Sequence, residues 1–295
     1  MASEGDRRAS LEVDEPRRSR IVGALGSGGD GRRGVAIALL STIVFLVVVG
    51  VAIINSPGWP AVHKTFLSWT EFKSSFPEIA RAFLLNCKIF LIAECLILPF
   101  ALVIAVLRSL PGPVFFPLRA LAIVYADFFR GVPTILVISM LGLGAPALQL
   151  SGVPSSVVFW GIVSLVLVYS AYVSEVYRAG IESVHPSQEA AARSLGLTRG
   201  QTLRKVILPQ AVRRVIPPLL NDFIGLQKDT ALVGSALGAI EAFNQATIDA
   251  DATFNFTPYL AAAVLFVAIT IPLARFTDWL IARDRRRRQA QGLHT

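Results

Sequence analysis

Reactive side chains are scarce in this sequence. Its 295 residues hold two cysteines, two methionines and three histidines. Cys87 and Cys95 share one apolar segment, without the paired spacing or histidine partner of a metal or redox site, and both read as packing residues. His63, His185 and His294 form no cluster, so no metal site is expected. A phosphate-cradling loop is lacking too. The run "GSGGDGRRG" is followed by no Lys-Ser or Lys-Thr and has no strand-turn-helix context. The chain is therefore expected neither to hydrolyse ATP nor to bind a cofactor of its own. Charge is also sparse, at 16% of residues against roughly 25% in soluble domains, while 54% are apolar. The net charge of +8 would suggest nucleic acid only if the basic residues shared one folded surface. Instead they cluster at the ends of apolar runs, where membrane topology explains them and lipid, not nucleic acid, is the expected partner.

What remains is a series of long apolar stretches. A spanning helix needs about 20 mostly apolar residues, and six candidates are present: Val35–Ile54, then about Phe83–Leu107, Val132–Leu148, Ser156–Tyr177, Val215–Leu237 and Pro258–Ala282. The fifth is weakened by Pro217-Pro218 and by "QKD". The fold class is all-α, a polytopic membrane protein of about six spans. Residues 1–34 read as a disordered tail, 35–82 as a first span with an extracytoplasmic segment, 83–282 as the main transmembrane domain and 283–295 as a basic tail. Lys and Arg fill alternate connections: Arg108, Arg119 and Arg130; then Arg193 through Arg214; then Arg283 and Arg285–Arg288. Gln149–Ser155 has no charge and Gly238–Thr257 carries only Glu241, Asp249 and Asp251, whereas Asn55–Ala82 is less clean, with Lys64, Lys73 and Arg81. This distribution puts the protein in the cell membrane with both termini in the cytoplasm. From Asn55–Ala82, "SWTEFKSSFPEIARAF" reads as a short interfacial helix anchored by Trp69 and Phe72.

Between the fourth and fifth spans lies a water-soluble piece, "SQEAAARSLGLTRGQTLRKVILPQ", Ser187 to Gln210. Ser187 is a candidate cap for a first helix holding Glu189, Ala190, Ala191 and Ala192. Gly196 falls where a left-handed C-terminal cap belongs. Thr198-x-x-Gln201 matches a capping box opening a second helix. Leu203, Val206 and Ile207 make its apolar stripe, and Pro209 is expected to end or bend it. Two short amphipathic helices joined at a glycine fit two uses equally, a pair lying on the lipid surface or a docking knob for a cytoplasmic partner.

The stretch resembles the EAA loop of the membrane subunits of ABC importers: Glu-Ala-Ala, a glycine shortly after, then Ile-x-Leu-Pro. Gly196, Val206, Leu208 and Pro209 fit that spacing. Counting back from Gly196 puts Ala190, not Glu189, at the position of the family's glutamate. "DFFRGVPTILVI" (Asp127–Ile138), "YSAYVSEVYRAGIESV" (Tyr169–Val184) and "NDFIGLQKDTALVG" (Asn221–Gly234) are similar to segments of the polar amino acid permeases in that superfamily. The resemblance covers about Phe83–Leu280 and implies an ABC importer type I transmembrane domain with cytoplasmic coupling helices. It also implies a second permease copy or homologue, two ATP-binding subunits carrying ATP and Mg, and an extracytoplasmic amino-acid-binding protein. Glu189, Ala190, Ala191, Ala192, Gly196, Leu203, Val206, Leu208 and Pro209 would then form the ATPase-coupling loop.

Charges inside the spans are the other candidates, because each costs roughly 2.5–3.5 kcal/mol at a helix centre. Lys88, near the outer end of the second span, can snorkel, and Glu175 and Arg178 stand one turn apart and can pair. Lys228 and Asp229 are adjacent and point to different faces; beside Thr230, in a helix loosened by Pro217, Pro218 and Gly225, they suit either a substrate pathway or an ion pair to another span. Glu94 suits a cationic substrate group or a polar neighbour. Two rival classes differ in what they require. An ion-gradient-driven secondary transporter or channel often shows internal repeats, and none is visible. An intramembrane enzyme needs a catalytic pair, and the spans hold no histidine.

Overall fold

The structure is a computed structural model that describes residues 30–290. It divides into two compact units, the first reaching to His63 and the second beginning at Lys64. The first unit is dominated by helix α1 (Asp30–Ile54), which shows apolar side chains from Val35 to Ile54 on every face. α1 begins inside the segment read as tail, and residues 1–29 of that segment lie outside the described residues. Helix α2 (Trp59–Phe66) follows.

The second unit is built on α3 (Trp69–Ser109), one helix of 41 residues. Ser68 caps it, its side chain accepting from the Glu71 N–H at 3.4 Å. The expected short interfacial helix is thus the first turns of α3, which runs through Pro77 into the second span without a break. Trp69 is 65% exposed and stacks on Phe72. Ile89, Ala93, Ile97 and Ala101, each four residues on from the last, form one buried stripe. Leu91, Ile92, Leu102 and Val103 point outward, an arrangement that suits lipid and not water.

Two short helices follow, α4 (Phe116–Gly131) and α5 (Thr134–Ala147), bent by 102° at Val132-Pro133. The expected third span is therefore only the second arm of a broken pair. Pro133 denies the helix a donor and pushes Val132 into extended backbone, with ψ of 132°. α6 (Val157–Glu182) packs against α3, α4 and α5, burying Leu165, Val168, Tyr169 and Val173. Beyond it come α7 (Pro186–Ser194), α8 (Arg199–Thr202), a π-helical turn at Leu203–Ile207, α9 (Leu208–Asp229), α10 (Ala231–Leu237), α11 (Ala242–Thr253) and α12 (Thr257–Ala290). α12 continues through the first part of the expected basic tail. A second core joins Ile79 and Phe83 of α3 to Ala242 and Ala246 of α11 and Ala261 and Ala262 of α12.

Among the described residues four helices (α1, α3, α6 and α12) are long and apolar enough to cross a membrane, or five spans if the α4–α5 pair is one. The expected fifth span, Val215–Leu237, is divided between α9 and α10 at Thr230, and its α9 part carries Asp222, Lys228 and Asp229.

Candidate functional site

The soluble loop has the predicted joint. α7 ends in a Schellman arrangement: Leu197 N–H reaches Ala192 C=O at 3.2 Å and Gly196 N–H reaches Arg193 C=O at 3.0 Å. Gly196 carries φ +83°, a left-handed backbone that residues with a side chain rarely adopt. The capping box is present: Gln201 N–H donates to Thr198 Oγ1 at 3.3 Å and Thr198 N–H donates to Gln201 Oε1 at 3.0 Å. Two details differ from expectation. The cap of α7 is His185, whose Nδ1 accepts from Ser187 N–H at 3.2 Å, because Pro186 is already at the first helical position. Pro209 ends nothing. The wider π turn before it leaves Leu208 N–H bonded to Leu203 C=O, and the chain passes without a gap into α9, with Pro209 in its first turn, where no N–H is needed.

The α8 segment and α9 form one rod, which carries Asp222, Lys228 and Asp229. Glu189 and Val206 are half-buried and Ala192 is buried, whereas Ala190 and Ala191 are exposed. Leu195, Leu203 and Leu208 show 83%, 47% and 45% of their surface and give the loop an apolar outer side.

The loop's two stems are pressed together. A β-carbon on Gly180 of α6 would collide with Val215 of α9, so only glycine permits this approach. Arg214 of α9 donates to Ser183 C=O at the end of α6. One turn further in, Glu175 accepts from Arg108 of α3 at 2.8 Å and pairs with Arg178, which also pairs with Glu182. Arg130 of α4 stands 3.8 Å away. The Glu175–Arg178 pair follows from spacing in the sequence; Arg108 and Arg130 come from other helices and leave no local signal.

The candidates within the spans do not gather at one point. Asp229 is half-buried and accepts from Tyr169 of α6 at 2.8 Å, and Glu94 is half-buried within Coulombic reach of Asp222. Lys228 and Lys88 are exposed. Thr230 is fully buried; its hydroxyl donates to Gln227 C=O at 2.8 Å and accepts from Asn86 Nδ2 at 3.1 Å. Asn86 also donates to Glu241 at 2.7 Å and accepts from Ala242 N–H at 3.0 Å, while Glu241 takes the Phe243 and Asn244 N–H groups at the start of α11. Thr270 of α12 adds a bond to Gln227 at 3.0 Å. This network pins the α9–α10 break to three other helices. Among the described residues no three His, Cys, Asp or Glu side chains converge as an ion-holding group.

Several membrane-length helices with a capped helix pair leading into α9 define a polytopic helical membrane protein. Residues 97–286 match the family of binding-protein-dependent transport system inner membrane components. The chain belongs to that family, and it is a multi-pass membrane protein. A probable amino-acid permease protein of Bacillus subtilis is 34% identical over 206 residues, 70% of this chain and 90% of that protein. A probable glutamine ABC transporter permease protein of the same organism is 35% identical over 58% of this chain and 77% of that protein. The solved structure of an amino acid ABC transporter with histidines superposes with a TM-score of 0.65 at 29% identity, covering 74% of this chain and 98% of that one. An inward-facing methionine ABC transporter shares the fold, with a TM-score of 0.55 at 18% identity.

Proposed function

We propose that this chain is the permease subunit of an ATP-driven importer for a polar amino acid. The observation that carries this is the capped helix pair hinged at Gly196 whose second arm runs unbroken into α9. In this reading two copies of a separate ATPase, which hold ATP and Mg, grip the apolar outer sides of paired loops. The pair comes from a second copy of this chain or a homologue, and an extracytoplasmic binding protein delivers the amino acid. ATP closes the ATPase dimer, each loop moves as a lever, and α9 moves with it. ATP shifts the inward–outward equilibrium only because the ATPases bind its two states unequally. The names of the Bacillus relatives support an amino acid as cargo. Alternate Lys/Arg loops support both termini and the loop at 187–210 being cytoplasmic. Lys228, Asp229 and Glu94 line the pathway, and Thr230 supports it from behind.

The test is co-purification with the ATPase and binding protein encoded beside it, then ATP-driven uptake of labelled amino acids into proteoliposomes. Uptake that needs the ATPase supports the reading. Uptake driven by an ion gradient without ATP would replace it with a secondary transporter.

A further inference from the structure

A cavity of about 340 Å³ opens at the loop end of the bundle, between α6, α9 and the end of α4. That lies at the lower end of the roughly 300–1,000 Å³ found for small-ligand pockets. Arg130, Tyr172, Glu175, Ala179, Arg214 and Asp222 are among its lining residues.

The charges on its wall are unevenly satisfied. Glu175 already holds Arg108 and Arg178. Arg130 reaches it only at 3.8 Å, with 39% of its side chain exposed. Arg214 uses one donor on Ser183 C=O, and a guanidinium has five. Asp222, about two turns along α9 from Arg214, has its Oδ2 buried without a hydrogen-bond partner among the described residues. A buried carboxylate oxygen without a partner is costly and calls for an explanation.

A metal cation would answer Asp222 but be repelled by the arginines. A phosphate or other simple anion would answer the arginines but meet Asp222 and Glu175. A molecule carrying both signs a few bonds apart answers both kinds of group at once. We propose that this cavity binds the zwitterionic head of a free α-amino acid, its ammonium on Asp222 and its carboxylate on Arg130 and Arg214. The charge-assisted bonds on both sides are the strong kind, and the guanidiniums match a carboxylate's two oxygens. Its side chain is left to the wall of Tyr172, Ala179 and Pro218. The proposal rests on the amino-acid transport reading above and deepens it. The cavity flanks the two stems of the coupling loop, so it is a station for cargo on the cytoplasmic side. A ligand bridging α4 and α6 to α9 there also restrains the lever, which lets accumulated amino acid act back on the pump.

The experiment uses the full chain co-purified with its ATPase, in nanodiscs without binding protein. Each common L-α-amino acid is titrated by calorimetry, followed by the N-acetyl and α-carboxamide derivatives of the best binder. The expected result is saturable binding that falls at least tenfold with either derivative and at least tenfold in Asp222→Asn and in Arg214→Gln. Each variant is checked for its thermal unfolding midpoint and its association with the ATPase. If a variant does not fold, the derivative series on the unaltered protein decides. Tolerance of both derivatives, binding unchanged in folded Asp222→Asn, or no binding at all would each overturn the site. ATP-driven uptake with binding protein restored is measured on the same preparation. Uptake without Asp222-dependent binding sinks this site alone, and absent uptake sinks the transport reading, whatever calorimetry shows.

Discussion

Replacing Gly196 tests the hinge directly, because its surroundings isolate one physical effect. A β-carbon built there meets nothing within 4 Å, so no collision contributes. The whole penalty comes from φ +83°. Left-handed backbone costs an L residue roughly 1–2 kcal/mol, and strained positions as a class about 1–3 kcal/mol. Gly196→Asn should be the mildest change, Gly196→Ala intermediate and Gly196→Val the most severe, since a β-branched side chain tolerates that region least. At about 1.4 kcal/mol per tenfold, Val should weaken ATPase docking by roughly 5- to 150-fold. Gly200 provides the control. It also has open space around it, but it lies inside α8 without a positive φ. There Ala should be neutral or stabilise by about 0.5–1 kcal/mol, because glycine is the poorer helix former. The assay is binding of purified ATPase to each variant in nanodiscs, paired with uptake and with insertion measured by membrane fractionation. Equal losses for Ala at 196 and at 200, or wild-type docking and uptake in Gly196→Val, would refute the hinge.

Three further outcomes are expected. Gly180→Ala should lower stability by about 1–3 kcal/mol through overpacking against Val215, and Val215→Ala should restore much of it, read as coupling in a double-mutant cycle of thermal unfolding. Lys228→Met should abolish amino-acid uptake with assembly and ATPase association retained; poor assembly, rescued by neutralising an acid elsewhere, would show a structural ion pair instead. In a chain with Cys87 and Cys95 replaced by alanine, cysteines at Ser151 and at Gly292 (the latter outside the described residues) should label from opposite sides, and labelling of both from outside intact cells would show the topology to be wrong.

The elements legible in the sequence are those whose cause is local. A left-handed glycine cap and a capping box are set by residues within a few positions of each other, so Gly196, Thr198 and Gln201 could be read directly. The Glu175–Arg178 pair is of the same kind. Errors arose where two local signals competed. Pro209 carries a helix-ending signal, but a π turn just ahead of it absorbs the missing donor, and the helix does not stop. Apolar content suggested a span at 132–148, while Val132-Pro133 divides that stretch from α4 and makes a bend. Glu241 shows the larger limit. In the sequence it is one of three acids in an outer loop, and nothing nearby predicts burial. Its partners are Asn86, 155 positions away, and backbone N–H groups freed only because α11 starts there. The same network changes how Thr230 should be understood. Its neighbours Lys228 and Asp229 suggest a pathway from their charge alone, but the Thr230 hydroxyl is fully buried, with its one donor spent on Gln227 and with Asn86 donating to it. Its bond to Asn86 holds the end of α9 against α3, which in the proposed mechanism gives that helix a fixed point to move against.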